Sequence, residues 1–310
     1  MFGFHTEAAE VVRGIDLTGR QVVITGASSG IGVETARALG SAGADLVLGV
    51  RDVAKGEEAL GGISGSVRLL QLDLSDLASV ADFAAQITAP VDVLICNAGV
   101  SKTPDKHLAN GLDVRFATNH LGHFHLAHLL KPQMAANDLG RGARIVVVSS
   151  AAHKGMPVRL DDLQWQSREH FDGAAYAESK SANILFAQEA TRRWRGGGIV
   201  ANAVLPGSSL TGLQRFHGEA LKRKIGFIHE DGSLDPRMKT AGQAAATSVW
   251  AATAAELEGR GGLVLEDCGE ALPVGPETHA WAGYDASVAD PETARALWEH
   301  SEELVGQFLP

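Results

Sequence analysis

Tyr176 and Lys180 stand four residues apart in the segment Tyr-Ala-Glu-Ser-Lys. On a helix such positions share a face, so an ammonium at Lys180 can lie beside a phenol at Tyr176 and favour its ionised form. A phenol tuned in this way can give or take a proton near neutral pH. Far upstream, Thr25-Gly26-Ala27-Ser28-Ser29-Gly30-Ile31-Gly32 spaces its glycines G-x-x-x-G-x-G between an apolar run and a helical pattern. Gly26, Gly30 and Gly32 allow a tight turn, and the backbone through Ser28, Ser29 and Ile31 can then approach a pyrophosphate at the helix N-terminus. The spacing differs from G-x-G-x-x-G, and taken alone the segment also reads as a glycine-rich turn with no ligand.

Both segments need a frame. Short β-branched runs at 21–25, 45–50, 67–72, 91–96, 144–149, 199–205 and 262–265 alternate with longer helical patterns. Runs such as Ile145-Val146-Val147-Val148 are continuously apolar, as expected of strands covered on both faces. The expected fold class is α/β: one Rossmann-type, doubly wound, parallel seven-stranded sheet with helices on both faces. The chain reads as a single domain over 1–310, with a core at 18–265 and a tail at 266–310. Two further stretches, 151–174 and 207–238, interrupt the rhythm after strands, where ligand-binding loops lie.

Cofactor choice is written at the end of the second strand. An NAD-selective site places a carboxylate there, but this chain has Val50 followed by Arg51. A guanidinium can fork onto the 2′-phosphate of NADP, so NADP is expected ahead of NAD, although Asp52 adjoins and Arg51 also reads as a solvated loop cation. Asp73 and Leu74 close the third strand, where Asp73 can accept from an adenine amino group. Asn97-Ala98-Gly99 follows the fourth, its small residues letting backbone meet the adenine ribose. Alone, either is only a turn.

With 25–32, Asn97-Ala98-Gly99, Asn119, Ser150, Tyr176, Lys180 and Pro206-Gly207 in this order, the chain resembles the short-chain dehydrogenases/reductases over about residues 18–265. The resemblance implies that Tyr176 is the proton donor or acceptor and that Ser150 hydrogen-bonds the substrate oxygen. It implies that Lys180 holds the nicotinamide ribose and lowers the phenol pKa, and that Asn119 anchors a water of a proton relay. Pro206, Gly207 and Thr211 resemble the loop that contacts the carboxamide and pyrophosphate, and Ser149 is expected to close the strand against the cofactor. Asn119-His120-Leu121-Gly122-His123-Phe124, the strand end around Arg51 and the 26-residue gap from Ser150 to Tyr176 resemble the retinol-dehydrogenase and WW-domain-oxidoreductase branch.

The implied activity is hydride transfer between NADP(H) and a carbonyl or alcohol of a small apolar substrate. Reduction of a carbon–carbon double bond and a non-catalytic NADP-binding redox sensor are the alternatives, and the complete Asn-Ser-Tyr-Lys set favours the first. A homodimer or homotetramer packed through the helices around Asn119 and Tyr176 is also implied. Met156, Val158, Leu163, Trp165 and Phe171 of the 151–174 insertion either line a substrate pocket or cap the core. Residues 207–238 carry Phe216, Leu221, Ile225, Phe227 and Ile228 among basic residues, which predicts a mobile helical lid over an apolar ligand.

Composition narrows the partners. A net charge of -10, from 27 basic and 37 acidic residues, offers no footprint for nucleic acid or an anionic membrane. No apolar run approaches a membrane span, residues 1–20 do not read as a secretory leader, and the two cysteines fall outside any paired motif. The cytoplasm is the expected location. Cys96 reads as a small buried hydrophobe. His120, His123, His125 and His128 lie on more than one face of one helix, so helix packing is expected there and no metal site.

Overall fold

The Ile145-Val146-Val147-Val148 run is buried along its whole length because helices cover the sheet on both faces. The computed structural model describes residues 2–136, 142–211, 213 and 216–308. Its strands are β1 (Gln21–Thr25), β2 (Asp45–Val50), β3 (Val67–Gln71), β4 (Val93–Cys96), β5 (Ala143–Val148), β6 (Ile199–Leu205), β7 (Val264–Glu266) and β8 (Gly269–Glu270). They form one sheet in the order β3-β2-β1-β4-β5-β6-β7-β8. The first seven are parallel, as expected from the sequence, and β8 turns back antiparallel on β7. This eighth strand corrects the expected count: a two-residue strand has no hydrophobic period to read. It follows a turn in which Asp267 and Cys268 both take positive φ, 50° and 58°.

The helices are α1 (Ala8–Val11), α2 (Gly30–Ser41), α3 (Val53–Ala59), α4 (Leu77–Ala85), α5 (Val114–Phe116), α6 (Gly122–Ala135), α7 (Asp172–Trp194), α8 (Glu219–Lys224), α9 (Ala241–Thr253) and α10 (Pro291–Phe308). Successive strand residues point to opposite faces. Val23 and Leu94 therefore pack with Phe83 of α4, Phe124 of α6 and Ile184 of α7, while Val22 and Ile24 pack with Leu39 of α2 and Val249 of α9. β1 and β4 are neighbours whose following helices leave to opposite faces, which opens a crevice at their carboxyl ends.

Beyond the core, α10 lies on α6 and α7. Its Trp298 ring packs 5.0 Å from Phe124 and 5.1 Å from Trp194, and Ser301 Oγ is 2.9 Å from His120 Nε2. Among the described residues no helix is long and apolar enough to cross a membrane.

Candidate active site

The dinucleotide end is built by backbone. Gly26 has φ +71, and a Cβ there would stand 2.8 Å from the Ala98 Cα; Gly30 has φ +54, and a Cβ there would stand 2.9 Å from the Thr211 Cβ. Any side chain at either position would be strained and would push the β4 or β6 loop away. Asn97 braces the turn, its Nδ2 donating to the carbonyls of Thr25 (2.9 Å) and Gly26 (3.2 Å). The Thr25 hydroxyl in turn accepts the Asn97 and Ala98 N–H groups, each at 3.1 Å. The N-terminus of α2 opens on the cradle so formed, a place suited to a phosphate.

At the far end, Arg51 and Asp52 both line the cleft and are exposed. The Asp52 carboxylate caps α3 by accepting from Lys55 N at 3.2 Å and pairs with Lys55 Nζ at 3.1 Å. These bonds hold its carboxyl below the ordinary range. Arg51 makes no hydrogen bond or ion pair among the described residues. Lys55 lines the same end of the cleft and was not picked out from the sequence, although its position one helical turn beyond Arg51 is a usable signal. Asp73, also in the cleft, accepts from Ser75 N (2.9 Å) and Ser75 Oγ (2.6 Å) through one oxygen.

β5 and α7 bring the chemistry together. Ser150 follows β5 and caps a short 3-10 turn, Ala151–His153, accepting from Ala152 N at 3.2 Å. The Ser150 hydroxyl beside the Tyr176 phenol favours the phenolate, while burial acts more strongly and pushes the phenol pKa up. Lys180 is 3 % exposed, and its Nζ donates to the Val148 carbonyl at 2.9 Å. Burial brings its pKa down to about 8. The ammonium stands 5.7 Å from the centre of the Tyr176 ring. It is the Ser150 hydroxyl that counters the rise of the phenol pKa.

All the sequence-predicted site residues except Gly30 and Asn119 line this one cleft, of about 1590 Å³. Gly30 is turned to Thr211. Asn119 is fully buried behind the wall, within a π-helical turn (Ala117–Leu121) between α5 and α6. Its Oδ1 accepts from Val100 N (2.7 Å), and its Nδ2 donates to Val100 O and Ser179 Oγ, both at 2.9 Å. Ser149 also lines the cleft, and its hydroxyl donates to the Lys180 carbonyl at 2.7 Å, anchoring α7 on β5.

The rest of the cleft takes apolar side chains from distant segments. Of the 151–174 insertion, Met156 and Phe171 line the cleft, whereas Val158 and Leu163 are buried in a hydrophobic cluster with Leu112 and Phe116. Trp165 is buried with the arginine of Arg168 stacked 3.8 Å from its ring centre, so the insertion does both jobs. From 207–238, where Gly212, Gln214 and Arg215 lie outside the described residues, Phe216, Leu221, Ile225 and Phe227 face the cleft around α8. Ile228 instead bridges to Leu234. The sequence reading missed Trp281, which reaches the cleft from the tail and packs edge-on against Phe227 at 5.1 Å.

The four histidines of the α6 region are packed within the helices. His120, His123 and His125 are buried, and His128 stacks on Phe124 at 4.2 Å. Among the described residues no three His, Cys, Asp or Glu side chains are grouped to hold a metal. Cys96 is fully buried in the core, and burial pushes its thiol pKa far up.

A doubly wound sheet with a dinucleotide cradle at its switch point, and a Ser-Tyr-Lys set on the wall beside it, defines a nicotinamide-dependent oxidoreductase. The chain belongs to the short chain dehydrogenase family, whose pattern it matches over residues 20–222. It is 42% identical to a "Probable oxidoreductase" of Streptomyces lividans across 94% of this chain and 99% of that one. It is 36% identical to human retinol dehydrogenase 13, across 95% of this chain and 87% of that one. A crystal structure of an uncharacterised protein from Mycobacterium paratuberculosis superposes with a TM-score of 0.73 at 33% identity, covering 96% of this chain and 97% of the other. The likeness to the retinol-dehydrogenase and WW-domain-oxidoreductase branch, read from the motifs, holds.

Proposed function

We propose that this protein transfers hydride between NADP(H) and a carbonyl or alcohol group of a small apolar molecule, with Tyr176 as general acid and base. The observation that carries the reading is that Ser150, Tyr176 and Lys180 come together on the wall of the same cleft that the glycine turn lines. When bound, the nicotinamide supplies or accepts the hydride. Reduction places growing negative charge on the substrate oxygen, and two hydroxyl donors fixed at that oxygen stabilise it. Tyr176 then gives its phenol proton, and in the reverse direction takes it back. Lys180, with a pKa brought to about 8, keeps most of its charge at neutral pH and holds the ribose edge of the cofactor.

The fit to a phosphorylated dinucleotide rests on the cradle that a Cβ at Gly26 would fill and on Arg51, which has its charge free while Asp52 is engaged by Lys55. Arg51 and Lys55 would hold the 2′-phosphate. A cleft of about 1590 Å³ exceeds the roughly 300–1,000 Å³ of a one-ligand site, leaving room for cofactor and substrate together. Residues 207–238 act in this reading as a lid, which hydrogen exchange there as slow as in β5 would rule out.

An NADPH-oxidation screen of the purified protein over apolar aldehydes, ketones, retinoids, steroids and enones, read by product identity, tests the reading. Alcohol products support it. Saturated carbonyl products from enones would move the protein to carbon–carbon double-bond reduction, and NADPH binding with no turnover would favour the sensor.

A further inference from the structure

His123 is fully buried and is not among the residues that line the cleft, yet its ring joins the two ends. Nδ1 lies 3.0 Å from the Asn119 carbonyl oxygen and Nε2 lies 2.8 Å from the Thr25 hydroxyl. The hydroxyl already accepts the Asn97 and Ala98 N–H groups, so its own proton is left to donate. His123 Nε2 at 2.8 Å is a far better acceptor for it than the Ile95 carbonyl at 3.5 Å. Nε2 is therefore bare, and Nδ1 carries the proton it gives to Asn119. Burial supports this neutral ring by bringing the imidazole pKa down to about 4.

The chain of donors continues in one direction. Asn119 Nδ2 donates to Ser179 Oγ at 2.9 Å, and Ser179 Oγ donates to the main-chain carbonyl of Tyr176 at 2.7 Å. Thr25, at the end of β1, forms the floor of the glycine turn, and Tyr176 carries the phenol. The π turn at 117–121 is what brings Asn119 between them: Gly122 N reaches back to Ala117 O, five residues away, which widens the helix at this point.

We propose that His123 is a positioning residue that couples the cofactor cradle to the catalytic tyrosine, through the hydrogen-bonded path Thr25–His123–Asn119–Ser179–Tyr176. This rests on the functional reading above, since it is the phenol's placement against the cofactor that the path would set. His123 holds Asn119 by its main-chain carbonyl, and Val100 and Ser179 hold it by its side-chain amide, so loss of one hold loosens the placement of the next. A buried histidine that only fills space would have no coupling to Ser179.

The test is a double-mutant cycle with His123→Leu and Ser179→Ala, in which kcat is expressed per NADPH-binding site counted by fluorescence titration. Each single variant should lose about tenfold in kcat, the scale of one buried hydrogen bond, with little change in NADPH affinity. The double variant should fall no further than the worse single. Losses that multiply to about a hundredfold, or a parental kcat per site in His123→Leu, would overturn the proposal. Should His123→Leu fail to fold, nitrogen-15 spectra of the parent's imidazoles decide. A bare Nε2 and protonated Nδ1 on His123, unchanged through neutral pH, are expected, and a proton on Nε2 overturns the path. A parent that binds NADPH but never turns over would sink the functional reading alone, and the spectra would still decide the path.

Discussion

The two halves of the cleft are built on different principles. The cofactor half is made at the carboxyl ends of β1, β2, β4 and β6, where backbone approaches backbone and Asn97 holds the glycine turn. The substrate half is made of Met156 and Phe171 from the insertion, Phe216, Leu221, Ile225 and Phe227 around α8, and Trp281 from the tail. These meet as apolar side chains with no common scaffold. The first half is fixed by the sheet and serves any substrate, and the second can change without disturbing it.

Ser150, Tyr176 and Lys180 stand where the halves meet, and the largest effect is expected there. Tyr176→Phe removes one hydroxyl and no cradle group, so kcat should drop by roughly a hundredfold or more while NADPH affinity stays close to the parent's. Retained turnover would break the mechanism. Next comes a change confined to the cofactor half. Arg51→Ala should raise the NADPH Michaelis constant roughly ten- to hundredfold and leave the NADH value nearly unchanged, because NADH has no 2′-phosphate to lose. Equal effects on both cofactors, or an NADH preference in the parent, would show that Asp52 reads the ribose.

A smaller effect belongs to the substrate half alone. Trp281→Ala strips an aromatic wall and the edge-on partner of Phe227, so the Michaelis constant for an apolar substrate should rise about tenfold at most, with cofactor binding untouched. If NADPH affinity fell in parallel, the two halves would not be separable. The least effect on rate comes from acid. His120 and His123 are buried neutral, with pKa values brought down to about 3 and about 4 by burial. The unfolded chain binds their protons near 6.5 and the folded chain does not, so their share of stability is complete above that pH and is lost as pH falls towards 4. The unfolding free energy from denaturant titration, and with it the midpoint, should fall across that window by up to ~1.4 kcal/mol per pH unit for each histidine. A midpoint constant from pH 7 to 5 would mean that these rings are not buried neutral.

α10 closes over part of the helices that follow β4 and β5, where Trp298 packs among Phe124, Phe186 and Trp194. The hydrophobic period of the tail can be read in sequence, but not the helix on which it lands.

What the sequence determined by itself was local: the glycine spacing that turns β1 into α2, the apolar runs that become doubly covered strands, and the four-residue step that sets Tyr176 and Lys180 on one face of α7. In each case the physical cause acts within one or two turns of chain. Tertiary structure decided what needs partners from elsewhere. It set Asn119 behind the cleft, in a π turn that no residue type in Ala-Thr-Asn-His-Leu announces. It divided the insertion between wall and core, brought Trp281 of the tail against Phe227, and gave Asp52 to Lys55, leaving Arg51 without a hydrogen bond or ion pair among the described residues. Burial did the rest, raising the phenol and lowering the lysine, since desolvation depends on what packs around a group and not on its neighbours in sequence.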